Sequence, residues 1–144
     1  MANRFQVTFD ANDVPLLVRF WAVALGYVEQ PPPPGFDSWH EWAASEGIPE
    51  EEWDGRGALM DPEGQGSRIF FQKVPEEKSG KNRMHLDVNA GGGHDVDKQQ
   101  RRNSVDAHVE RLLTAGGAVV QEFNQGDERW VVMQDPEGNE FCVQ

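Results

Sequence analysis

The sequence predicts an α+β fold built from two βαβββ modules, on three observations. Apolar residues recur at helical spacing in two stretches and alternate at strand spacing in several others. These elements run through the same order twice, as an internal duplication would. The tetrapeptide Asp61-Pro62-Glu63-Gly64 also returns unchanged as Asp135-Pro136-Glu137-Gly138, each time just before a final strand. One copy means little, because Pro presets φ and Gly permits φ > 0 in many turns. Two copies at matching places mean more.

The first strand is expected over Phe5–Phe9. Asn12-Asp13 then offers a capping side chain, Pro15 suits a first helical turn, and Leu17, Val18, Trp21, Ala24 and Leu25 make an apolar stripe that ends at Gly26. Tyr27–Gln30 reads as a weaker strand, followed by strands at Gly57–Met60 and Arg68–Val74. The second module repeats the order with a strand at Arg83–Val88 and a helix carrying Val105, Val109, Leu112 and Leu113. Gly116-Gly117 breaks that helix, and strands follow at Ala118–Val120, Trp130–Gln134 and Glu140–Val143. Module 1 therefore covers about residues 1–76 and module 2 about residues 82–144 of one domain. A ferredoxin-like sandwich also repeats βαβ units, but the duplicated turn followed by a strand argues against it.

The modules differ by insertions. From the helix-ending glycine to the turn aspartate is 35 positions in the first module and 18 in the second, and the excess lies within residues 31–56. That segment opens on four prolines, a stiff extended spacer, and continues through Trp39, Trp42 and Trp53. Trp39 and Trp42 are spaced to share a helix face, so Ser38–Ser45 is expected to be a short helix. The other insertion, Asn89–Arg102, holds Gly91-Gly92-Gly93 and a polar run, and is expected to be mobile.

Composition limits the function. Thirteen Lys and Arg stand against 25 Asp and Glu, a formal charge of −12, so nucleic acid and anionic membrane surfaces are excluded as partners. No apolar run approaches the ~20 residues that span a bilayer. The single cysteine, Cys142, forms no internal disulfide, which suits a cytoplasmic protein.

Phe20-Trp21 before Leu25-Gly26-Tyr27, the strand Met84-His85-Leu86-Asp87-Val88 and the ending Asp135 to Val143 together resemble the vicinal-oxygen-chelate superfamily of glyoxalases, bleomycin resistance proteins and dioxygenases. The stretch Arg68 to Pro75, with Gly80 to Arg83, is similar to its bacterial glyoxalase-like domain branch. The resemblance implies that the eight strands curl into a cup-shaped mixed sheet with helices on the outer face and substrate or metal inside. It also implies a homodimer and a small-molecule ligand.

Alternation then nominates the inward residues. Phe5, Val7 and Phe9 suit packing under helices and leave Gln6, Thr8 and Asp10 opposite; Met84, Leu86 and Val88 likewise separate from His85 and Asp87. In the fourth strand Gln72 shares a face with Phe70, and in the last Glu140 shares one with Cys142. By resemblance the ligands of one divalent metal ion fall at Gln6, Gln72, His85 and Cys142, with His85 and Glu140 as the catalytic pair. Thr8, Asp87, Trp39 and Trp42 are expected to line the substrate pocket.

The superfamily's last ligand is a glutamate seven positions after the turn aspartate; here that position is Cys142, and Glu140 precedes it by two. Imidazole, thiolate and carboxylate suit zinc-like ions, whereas amide oxygens are weak donors to soft metals. Each residue also has a plainer reading, with Cys142 as a small buried hydrophobe, Gln6 and Gln72 as hydrogen-bonded wall residues, and the tryptophans as packing. Three functions follow: a metal-assisted lyase, isomerase or dioxygenase; a metal-free binding protein of the bleomycin-resistance type; or an interaction module whose cup is filled. Glyoxalase I activity is disfavoured, since its two metal-binding glutamates are missing at the matched positions.

Overall fold

A computed structural model describes residues 1–144. The first strand, β1 (Val7–Ala11), leads into helix α1 (Val14–Leu25), where Asp13 caps the N-terminus by accepting from the Leu16 N–H and Gly26 ends the helix. Strand β2 (Val28–Glu29) precedes the insertion, which carries helix α2 (Trp39–Ser45), capped by Ser38, and a 3-10 turn over Glu50–Glu52. Strands β3 (Arg56–Met60) and β4 (Ile69–Lys73) complete the first half. The second half holds β5 (Asp87–Val88), α3 (Lys98–Thr114), β6 (Ala118–Gln125), β7 (Glu128–Gln134) and β8 (Glu140–Val143). The two βαβββ modules are therefore present in order.

The strands form two four-stranded sheets, β1-β4-β3-β2 and β5-β8-β7-β6, where one curled sheet of eight was expected. Each has the same plan, in which the first strand pairs parallel with the last and the others pair antiparallel. The chain divides into two units, one of Met1–Ala22 with Gly26–Glu77 and the other of Val23–Leu25 with Lys78–Gln144.

In the first unit α1 buries Leu17, Val18 and Trp21 while β4 buries Ile69 and Phe71, and Phe9 stacks on Phe71 and tilts against Trp21. Gly57 admits the helix closely, since a Cβ there would lie 2.7 Å from Val18 Cγ2. In the second unit Val88, Val131, Met133, Phe141 and Val143 form the core with Val105, Val109 and Leu112 of α3. The two Asp-Pro-Glu-Gly turns are alike in detail. Asp61 and Asp135 each accept from the N–H two residues on at 2.9 Å, and Gly64 and Gly138 adopt φ of 72° and 88°, the left-handed region that glycine tolerates.

Several boundaries differ from expectation. Pairing of β1 begins at Val7, so Phe5 lies outside the ladder and is 73% exposed instead of packed under a helix. The strand expected over Arg83–Val88 shrinks to Asp87–Val88, the two residues that pair with Cys142 and Val143 of β8, and Met84 is left 75% exposed. The polar insertion is shorter than its composition suggested, since Asp97 caps α3 through the Gln99 and Gln100 N–H groups and draws residues 98–102 into the helix. On α3 the stripe continues through buried His108, while Leu113 is exposed. Strand β6 extends past Val120 to Gln125, because the two-residue link Gly126-Asp127 closes it into a hairpin with β7.

Candidate functional site

The parallel pair β5 and β8 sets Asp87 directly beside Cys142. Phe141 and Val143 turn into the core, which leaves Glu140 and Cys142 on the other, half-exposed face of β8. His85, two residues before Asp87, brings its Nε2 to 3.3 Å from Asp87 Oδ1. The ligand atoms of His85, Asp87 and Cys142 all lie within 4.8 Å of one another. Burial, then the neighbouring Asp87 carboxylate, which accepts the thiol hydrogen, push the Cys142 thiol pKa up from its ordinary range. A metal ion held here would therefore have to displace the thiol's proton to gain the sulfur as a ligand.

Glu140 does not join this cluster. Its carboxylate accepts from the Asn82 backbone N–H at 3.0 Å and pairs with Lys78 at 3.5 Å, with the side chain only 16% exposed. The Asn82 N–H is the main reason its pKa is lowered. Glu140 thus anchors the segment over residues 78–82 against β8.

Counting strand partners back from the two turn aspartates relates the modules. Ala58 and Val132 hold matching places, and their partners are Phe70 and Cys142. Phe70 in turn pairs with Thr8 as Cys142 pairs with Asp87, so Gln6 holds the place of His85. Gln72 is thus not the counterpart of Cys142, and its amide instead donates to Asp10 at 2.8 Å. Gln6 accepts from Arg68 at 2.9 Å, and the same guanidinium reaches Gln30 at 2.7 Å. At the places matching the second module's imidazole and thiol, the first module carries an amide and a phenyl ring.

A model of the glyoxalase-like domain matches residues 6–144. The chain belongs to the glyoxalase-like domain family. A search of curated proteins finds no significant match. Solved structures share the fold at low identity. A glyoxalase/bleomycin resistance protein/dioxygenase family enzyme from Burkholderia phytofirmans is 19% identical with a TM-score of 0.59, over 96% of this chain and 94% of that one. A mutant of the fosfomycin resistance protein FosX from Listeria monocytogenes, complexed with Mn(II) and 1S,2S-dihydroxypropylphosphonic acid, is 12% identical with a TM-score of 0.62, over 100% and 90%. A possible glyoxalase from Bacillus cereus is 14% identical with a TM-score of 0.61, over 100% and 99%.

In this glyoxalase-like chain the remaining nominated residues have surroundings of their own. Thr8 is exposed on β1. Trp39 donates its indole N–H to the Gln30 carbonyl at 2.7 Å and meets Trp42 edge to face at 5.4 Å. Trp53 bonds the Ile48 carbonyl at 2.9 Å and lies against His40. These tryptophans pack the insertion on itself. No helix is long and apolar enough to cross a membrane.

Proposed function

We propose that the chain binds a small organic molecule against the half-exposed face of β5 and β8, where His85, Asp87 and Cys142 hold one divalent transition-metal ion. The convergence of imidazole, carboxylate and thiol within 4.8 Å carries this reading. The donor set fits Zn²⁺ or Co²⁺; a thiol makes Mn²⁺, the ion of the FosX complex, a poorer match. When bound, such an ion polarises a substrate oxygen, chemistry that serves lyases, isomerases and dioxygenases alike, and three protein donors are the number found in catalytic zinc sites. Asp87 orients both neighbours, accepting from the thiol and facing the imidazole. Glu140, ionised and engaged by Asn82 and Lys78, positions the segment over residues 78–82 beside the cluster and is a weak base for moving protons. A homodimer in the cytoplasm belongs to the same proposal.

A second reading, a metal-free binding protein, is favoured by the first module, which offers Gln6 and Phe70 where the second offers His85 and Cys142. Titrating chelator-treated protein with Co²⁺ separates the two. The first reading expects one equivalent bound with a near-ultraviolet thiolate-to-cobalt band, lost in Cys142→Ser, and affinity weakened at least ~10-fold in His85→Ala. Absence of the band, or variants that bind as wild type does, refutes the metal site and supports the metal-free reading.

A further inference from the structure

Elsewhere in the second unit lies a cavity of about 510 Å³, walled by the Gly91–Gly93 loop, the first turns of α3 and the tip of the β6–β7 hairpin. Into this cavity the chain sends Lys98, Arg101, Arg102 and Arg129, four of its 13 basic residues, although its formal charge is −12. The cations are not equally compensated. Lys98 pairs with Asp127, and Arg129 pairs with Asp106 at 2.6 Å and Glu122 at 3.4 Å. Arg101 and Arg102 have no carboxylate in ion-pair range, and the Nε–H of each is buried without a hydrogen-bond acceptor. Buried N–H donors are almost always satisfied, and the two side chains that carry these are half-buried.

We propose that this cavity is a binding site for a phosphate dianion, either inorganic phosphate or the phosphate group of a small monoester, gripped by Arg101 and Arg102. Two guanidiniums without an ion-pair partner match a double negative charge, and their planar forks of N–H donors suit phosphate oxygens. The α3 N-terminus is not the source of the site, because Asp97 already takes the Gln99 and Gln100 N–H groups. Lys98 and Arg129 are matched by their own acids, and Glu128 adds a further carboxylate to the wall, so the cations without an acid of their own are Arg101 and Arg102. Lys98 foremost, with Arg101 and Arg102, holds the Asp127 carboxyl below its ordinary range. The cavity exceeds the size of phosphate alone, which leaves room beside Val105 and Gln144 for an organic remainder. This site shares no residue with the His85 cluster and is independent of the metal proposal.

The test is calorimetric titration of the full chain at low salt with inorganic phosphate and with glycerol 3-phosphate, alongside amide chemical shifts. Wild type is expected to bind at one site, with shifts centred on Gly91–Gly93 and residues 98–102. Arg101→Gln with Arg102→Gln is expected to weaken binding at least tenfold, while His85→Ala leaves it unchanged. Tighter binding of the monoester identifies an ester ligand, and equal or weaker binding identifies free phosphate. Because the guanidiniums lack partners, the double variant should melt no lower than phosphate-free wild type, and phosphate should raise the melting temperature of wild type alone. Absence of binding by wild type, shifts elsewhere, or equal affinity in a folded double variant overturns the proposal. If the double variant is unfolded, Arg101→Lys with Arg102→Lys decides on the same criteria, since lysine keeps the charge but loses the fork.

Discussion

Acidification from about pH 7.5 to 5.5 should cost the fold up to about 1.4 kcal/mol through His108 alone. The imidazole is 7% exposed, with Nε2 at 2.9 Å from the Ala24 carbonyl oxygen and Nδ1 at 3.0 Å from the Arg111 guanidinium. A carbonyl only accepts and a guanidinium only donates, so the ring is neutral, protonated on Nε2, and gives its Nδ1 lone pair to Arg111. A second proton would face a donor. Burial, opposed by the Ala24 bond and reinforced by the Arg111 charge, holds its pKa below the ordinary 6.5. Above 6.5 neither state holds the proton, and the histidine adds no pH dependence. Below it, the unfolded chain takes up a proton that the folded protein refuses until its own lower pKa is reached. Stability therefore falls through that window, and a folded ring that stays neutral throughout gives the limit of about 1.4 kcal/mol. Urea unfolding at the two pH values, followed by far-ultraviolet circular dichroism, measures this. His108→Gln should be less stable at the higher pH and show a smaller loss on acidification by up to that amount. An unchanged loss in the variant refutes the reasoning.

Gly57→Ala should destabilise by about 1–3 kcal/mol in denaturant unfolding, because its Cβ would meet Val18 Cγ2 at 2.7 Å and Val14 Cγ1 at 3.1 Å, side chains fixed in the α1 core. Asp135→Ala should cost about 2–4 kcal/mol, since the Glu137 and Asn139 N–H groups and the Asn139 amide lose their carboxylate acceptor. Glu140, whose pKa is lowered, stabilises the segment over residues 78–82 above its unfolded value, and that contribution is lost as pH falls through the folded one. The Asn82 amide should therefore lose hydrogen-exchange protection at acid pH, and in Glu140→Gln at neutral pH.

How the site reads in the sequence follows from where its contacts come from. His85 is marked by its strand and by its place in the family resemblance, and Asp87, two residues on, shares its face by the period of two. Gln72 is nominated by resemblance and shares a face with Phe70; alternation cannot choose between the two, whereas the ladder from Ala58 sets Phe70 at the place that Cys142 holds in the second module. Lys98, Arg101 and Arg102 fall at helical spacing in an acidic chain, a signal available in the sequence. The polar composition of residues 89–102 masks it by suggesting a loop, whereas the Asp97 cap makes residues 98–102 helical.

By itself the sequence determined the duplicated modules, both long helices, the insertion helix and the paired turns. These depend on apolar period, capping side chains and left-handed glycines, all of which act within a few residues. Only the tertiary structure decided that the strands divide into two sheets, that β5 keeps two residues, that His85, Asp87 and Cys142 meet while Glu140 turns to Asn82, and that two arginines are left without an acid. Those outcomes rest on pairings between residues some 55 positions apart, such as Asp87 with Cys142, whose register is fixed by the packing of Val88, Phe141 and Val143 in the core.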